Sequence, residues 1–249
     1  SLGLARGSGA ARGYAHIGGL ETLVQEHIPL DFLAGTSMGS VIAALFATGK
    51  SPQEIMRLAQ DASRIQGIWS LLDLAFPRSG LMRGGRIEKL FRKVCGDVTI
   101  ENLPLPFRAV ATDVSTGEEV VLDRGPVWKA LRASVSLPCF FEPVKQGTRL
   151  LVDGGVSNPI PVNHLLELGA DRTVAVNVTA GPPQDARAPG ILSIMMNSIY
   201  TLQTLVSDAR SSLADVTILP EFGNLNWSDF ARGTEMIEVG RVATRAALP

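Results

Sequence analysis

At 249 residues and 26.5 kDa, with 45% hydrophobic and 19% charged residues, the chain holds enough apolar material for a two-sided core in one domain spanning 1–249. Its formal net charge of -1 gives no footprint for nucleic acid and no global attraction to an anionic membrane. No apolar run is long enough to span a bilayer. The 2 cysteines, Cys95 and Cys139, lie in apolar-periodic surroundings that predict buried free thiols, which fits a reducing, cytoplasmic compartment. The chain begins at Ser1 directly on strand-like residues, so a natural N-terminus upstream, with any targeting sequence, stays open.

Leu2-Gly3-Leu4-Ala5 predicts a short strand, followed at once by the loop Gly7-Ser8-Gly9-Ala10-Ala11-Arg12-Gly13. The dinucleotide fingerprint fails there, because Arg12 stands where its third glycine belongs and the acidic residue due after the next strand is absent. A phosphate-binding P-loop fails as well: Gly49-Lys50-Ser51 mimics its end, but Ala44 occupies its first glycine. The loop reads instead as backbone donors for an anion that develops during reaction. Ala11 to Gln25 has helical periodicity, and Gly18 and Gly19 within it are expected to allow close packing against a sheet.

The apolar run Leu30 to Ala34 predicts a buried strand, and Ser40 to Thr48 a helix. Between them lies Gly35-Thr36-Ser37-Met38-Gly39, a G-x-S-x-G turn from strand to helix that presents a serine hydroxyl. Gly35 and Gly39 fit a turn too crowded for a Cβ. Ser51-Pro52-Gln53-Glu54 is a capping box opening a helix to about Ala62, and Arg86 to Val94 is helical again. Ile68 to Phe76 has no clean period; it reads either as core packing or as a mobile cover or membrane-facing helix carrying Trp69, Leu72 and Phe76. Phe140 and Phe141 fit an acyl pocket or the core equally.

From Phe107 the pattern turns to strands: Phe107 to Thr112 with Glu119 to Leu122, then Pro143 to Lys145 with Arg149 to Val152, each a hairpin. Pro126 to Ala133 and Pro161 to Leu168 read as helices, and Thr173 to Val178 as a strand. Ala180 to Gly190 is the one loop or linker rich in proline and glycine. A long helix (Ile191 to Leu213), a strand (Val216 to Leu219) and a last helix (Thr234 to Leu248) follow, with Asp208 and Asp215 on solvated faces. The alternation gives an α/β layered domain with a mostly parallel sheet plus antiparallel strands.

A serine nucleophile needs a base. His16, His27 and His164 are the 3 histidines. Ser37, Asp153, His164 is the chain order of an α/β-hydrolase triad, but only about one strand precedes the elbow and His164 follows Asp153 too closely. Asp153-Gly154-Gly155 ends a predicted strand, so a carboxylate there is the remaining candidate, as is a plain strand-end turn. To take a proton near neutral pH, its pKa would have to be raised by desolvation.

Taken together, the glycine loop with Tyr14-Ala15-His16-Ile17-Gly18, the elbow, Ala111-Thr112-Asp113 with Thr116-Gly117, Ala133-Ser134-Val135-Ser136-Leu137-Pro138, and Asp153-Gly154-Gly155 leading to Asn158-Pro159 resemble a patatin-like phospholipase, in order and over most of the chain. The branch it looks most like is the bacterial RssA-like proteins, similar to the catalytic domain of neuropathy target esterase. The resemblance implies a three-layer α/β/α fold and a Ser–Asp dyad, Ser37 as nucleophile and Asp153 as base. It implies an oxyanion hole around Gly9 and Ala10 with Arg12 anchoring the loop, and no metal, cofactor or catalytic histidine. Many members have three consecutive glycines where this chain has Ser8-Gly9-Ala10, which leaves open which N–H faces the oxyanion. The implied substrate is a lipid or lysophospholipid ester, with peripheral membrane contact and oligomeric state open. Acyl transfer on the same dyad, or a regulatory protein that kept the fold, are the alternatives.

Overall fold

The computed structural model describes residues 1–64, 82–179 and 190–248. The segments read above as a cover or core stretch (68–76) and as a linker (180–189) lie outside the described residues. Among the described residues eight strands make one sheet: β1 (Leu2–Arg6), β2 (Phe32–Thr36), β3 (Phe107–Asp113), β4 (Glu119–Leu122), β5 (Val144–Gln146), β6 (Arg149–Asp153), β7 (Arg172–Val176) and β8 (Val216–Ile218). Hydrogen bonding runs β5-β6-β3-β2-β1-β7-β8, with β4 also on β3. The stretch β3-β2-β1-β7-β8 is parallel, whereas β4, β5 and β6 join antiparallel.

The helices are α1 (Ala15–Gln25), α2 (Met38–Ala47), α3 (Pro52–Arg64), α4 (Gly85–Cys95), α5 (Val127–Ser134), α6 (Val162–Leu168), α7 (Ile191–Ser211) and α8 (Gly233–Ala247). Alternation along the strands sends Leu4, Leu33, Ala109, Ala111 and Leu151 to a face covered by α1, α2, α5 and α8. Ala5, Ala34 and Ala175 point the other way, onto α6. This is the expected layered α/β/α arrangement.

The registers decide where the strand ends meet. Residues 109–112 of β3 pair with β4 along one edge. Strand β2 pairs with residues 107–110 of β3, and β6 with residues 111–113. An edge holds one partner at a time, so β2 and β6 share the other edge and abut end to end. Their C-terminal ends face each other where Thr36 sits opposite Val110 and Asp153 opposite Ala111.

Several expectations are corrected. The helix predicted from Ala11 opens as a 3-10 turn, Ala10–Tyr14, because the Ala11 N–H is taken by Trp227 O and Arg12 N–H turns back to Gly9 O. Gly18 and Gly19 pack against α8 and not the sheet: a Cβ on Gly18 would lie 1.9 Å from Ile237 O, and one on Gly240 1.9 Å from Ala15 O. Cys95 is buried, but Cys139 is only half-buried, since it turns the chain at φ 71° outside any helix or strand. Asp215 is exposed yet accepts from Thr173 N at 2.8 Å and from Arg172 at 2.8 Å, tying β8 to β7. Both cysteines are free thiols, and the capping box forms, with Ser51 Oγ accepting from Glu54 N and Glu54 accepting from Ser51 N.

Helix α7 is apolar on its outward side. Leu202 and Leu205 are 64% and 65% exposed, in line with Ile191, Ile194 and Met195. Its inward side carries Tyr200, Gln203, Ser207 and Ser211 instead. No described helix is long and apolar enough to cross a membrane.

Candidate active site

Strand β2 ends in Gly35-Thr36, and the next residue, Ser37, turns with φ 54°, in the left-handed region that costs a residue with a side chain. The turn is held because nothing larger fits around it. A Cβ on Gly35 would lie 2.6 Å from Ser40 N, and one on Gly39 2.3 Å from Arg6 O. Ser37 N–H donates to Ser134 Oγ at 2.9 Å, and that hydroxyl donates to Val110 O at 2.6 Å. Ser134 is a positioning residue that the motif reading quoted but gave no task. Helix α2 starts immediately after Ser37, so its amide ends favour negative charge there.

The end-on meeting of β2 and β6 delivers Asp153. Ser37 Oγ donates to Asp153 Oδ2 at 2.5 Å, and Gly155 N–H donates to Oδ1 at 2.8 Å. Asp153 N–H donates to Ser136 O at 2.9 Å; Arg132 steadies that segment through Ser136 Oγ and the carbonyls of Arg83 and Glu142. Gly154 opens a short 3-10 turn, where a Cβ would lie 2.2 Å from Val110 O. Ser37 is 7% exposed and Asp153 1%. Burial pushes the Asp153 carboxyl up to about 6, against the opposing effect of the bonds from Ser37 and Gly155. The pair therefore has the geometry for direct proton transfer and a carboxylate basic enough to accept.

The glycine loop lies over the elbow. Gly7 N–H is taken by Val176 O, Ser8 N–H by Pro159 O, Ala11 N–H by Trp227 O and Arg12 N–H by Gly9 O. Gly9 and Ala10 donate to no described atom, so they are the two N–H groups of the loop left for an anion. Ala10 sits at φ 47°. Arg12 Nε donates to Leu225 O at 3.0 Å and its guanidinium lies 5.0 Å over the Phe222 ring, fastening the loop to the segment before α8. Asn158-Pro159 clamps from the other side, since Thr36 Oγ1 donates to Asn158 O at 2.8 Å.

The histidines are occupied elsewhere. His16 is fully buried; its Nε2–H donates to Gly7 O at 2.8 Å, and burial, with Arg6 nearby, lowers its pKa to about 3. It is a neutral strut for the loop. His164 pairs with Glu119 and Glu167; burial alone would lower its pKa, and the two carboxylates outweigh that and raise it. His27 only turns the chain, at φ 54°. Among the described residues no three His, Cys, Asp or Glu side chains group to hold a metal ion.

Comparison with known proteins places this geometry in a family. Residues 4–166 match the family model described as patatin-like phospholipase. The NTE family protein Rv1063c of Mycobacterium tuberculosis is 37% identical over 218 residues, covering 85% of this chain and 60% of that protein. A second M. tuberculosis NTE family protein, Rv2565, is 34% identical, covering 100% of this chain and 46% of its own length. Neuropathy target esterase sws of Drosophila melanogaster is 33% identical over 183 residues, or 72% of this chain and 13% of that one. The chain thus spans about half the length of the mycobacterial relatives it matches. Among solved structures, VipD from Legionella pneumophila superposes with a TM-score of 0.63 at 15% identity, covering 99% of this chain and 66% of that one, a likeness of fold.

Proposed function

From the premise that this chain belongs to the patatin-like phospholipase family, we propose that it hydrolyses carboxylic esters of lipids through Ser37 and Asp153. The observation that carries the reading is the 2.5 Å bond from Ser37 Oγ to a buried carboxylate whose pKa is raised to about 6. Ser37 Oγ attacks the acyl carbonyl carbon while its proton passes to Asp153 Oδ2. The carbonyl oxygen becomes an oxyanion and takes the Gly9 and Ala10 N–H groups. Collapse breaks the ester C–O bond, and Asp153 returns the proton to the departing alcohol. Water then attacks the acyl-serine, again giving a proton to Asp153, and the fatty acid leaves as Ser37 recovers its hydrogen. A lipid substrate also fits the outward apolar side of α7, where the sequence from Ile191 to Ser207 holds no charged residue.

A fluorophosphonate probe tests the assignment. It should add its mass to the peptide containing Ser37, and Ser37→Ala should abolish both labelling and hydrolysis of a fatty-acid ester. Labelling that persists in Ser37→Ala removes the reading.

A further inference from the structure

On the inward side of α7, among the described residues, Gln203 Nε2 and Ser207 Oγ are buried without partners, and Gln203 and Tyr200, the two that reach toward the glycine loop, have no task in the reaction above. Gln203 is 2% exposed, and its Nε2 has no hydrogen-bond partner among the described residues. Its amide lies directly over Gly155: a Cβ there would sit 2.5 Å from Nε2 and 2.8 Å from Ser8 Oγ. Among the described residues the only bond of the amide is a long one, from Ser8 Oγ to Oε1 at 3.4 Å. Gln203 therefore stands between the glycine loop and the turn whose Gly155 N–H holds Asp153.

One helical turn earlier, Tyr200 is 7% exposed and its ring stacks on Trp227 at 5.1 Å. Its hydroxyl bonds to no described residue. It lines a small cavity with Gly9, Arg12, Thr204 and Trp227, beside one of the two unoccupied N–H groups of the loop. Asp153 and Arg12 are both near enough to act on the phenol electrostatically. Thr204, by contrast, is satisfied, donating to Thr179 O and Tyr200 O.

A buried donor without an acceptor costs roughly 1–3 kcal/mol, so Gln203 Nε2 calls for a ligand that brings an acceptor, and the Tyr200 hydroxyl beside the cavity can bond the same ligand. An acyl chain brings none. The ester carbonyl oxygen has Gly9 and Ala10. What remains is the alcohol side of the ester. We infer that Tyr200 and Gln203 form a specificity-determining subsite that hydrogen-bonds an oxygen-bearing alcohol portion of the substrate, such as a glyceryl group, and so selects it over a plain alkyl ester. The inference rests on the hydrolase reading above.

The test compares the glyceryl monoester of one fatty acid with the propyl ester of the same acid, which differ only in two hydroxyl groups. Wild type should favour the glyceryl ester in kcat/KM. Tyr200→Phe and Gln203→Met should each lower that preference about threefold to tenfold, chiefly through KM, while propyl ester hydrolysis and the rate of fluorophosphonate labelling at Ser37 stay within about twofold. An unchanged preference in both variants overturns the subsite, as does a wild type with no preference. Equal loss on both esters with slower labelling also overturns it, because the side chains would then hold the loop and not the alcohol. If the wild type hydrolyses neither ester and Ser37 takes no probe, the hydrolase reading itself falls and the subsite goes with it.

Discussion

Burial lifts the Asp153 carboxyl to about 6, so below that pH the molecule holds a neutral acid where the proposed hydrolysis needs a base. The kcat/KM profile for a soluble short-chain ester should therefore rise with pH through about 6 and level off above it; a limb centred near 4 would show that another group limits the rate. His164→Gln should leave that limb in place, since His164 is engaged with Glu119 and Glu167. The same shift has a stability consequence. A folded pKa above the ordinary 3.8 means the group favours folding at acid pH and loses that contribution as pH rises through about 6. Near neutral pH the buried carboxylate costs roughly 3 kcal/mol. Asp153→Asn should abolish turnover yet raise the melting temperature at pH 7.5, at about 2–4 °C per kcal/mol recovered, with the gain vanishing at pH 4. A variant that melts lower than wild type at pH 7.5 would refute the burial account.

At the scale of elements, the glycine seam between α1 and α8 and the two-sided α7 make separate claims. Gly240→Ala places a methyl 1.9 Å from Ala15 O, where neither helix backbone can yield cheaply. Overpacking of about 1–3 kcal/mol should appear as a lower melting temperature with the dyad chemistry retained in whatever stays folded. On α7, replacing outward Leu202 and Leu205 with serine should weaken co-sedimentation with phosphatidylcholine vesicles and leave hydrolysis of a soluble ester unchanged; full retention on vesicles would remove lipid contact from that face. Most elements were legible because their signals are local. The capping box marks the start of α3, and turns such as Ser115-Thr116-Gly117 mark the hairpins. Partner choice was not legible, because nothing near Gly18 in sequence says that its neighbour is Ile237. The apolar run Leu150 to Val152 likewise shows a strand without showing that its end abuts the end of β2.

At the scale of the molecule, that end-on meeting separates what sequence could say about the site from what it could not. The elbow motif pointed to Ser37, whereas the Asp-Gly-Gly strand end left Asp153 open between a base and a plain turn, and only the family resemblance chose the base. Ser134 and Gln203 reach the site across long separations, and their residue types are common in structural roles, so spacing alone carried no signal for them. The same long separations set an order of events when the chain is made. Elbow, loop and β3 leave the ribosome early, but Leu225 and Trp227, which hold Arg12 and Ala11, come more than two hundred residues after the loop, and α8 later still. A chain made only as far as α7 thus has Ser37 and Asp153 but not the backing of its glycine loop, with the α1 face that meets α8 bare. On a ribosome adding about 5–20 residues per second, that interval lasts many seconds. Chains stalled before residue 222 should carry Ser37 without reactivity toward the fluorophosphonate, and reactivity should switch on only once α8 has cleared the exit tunnel.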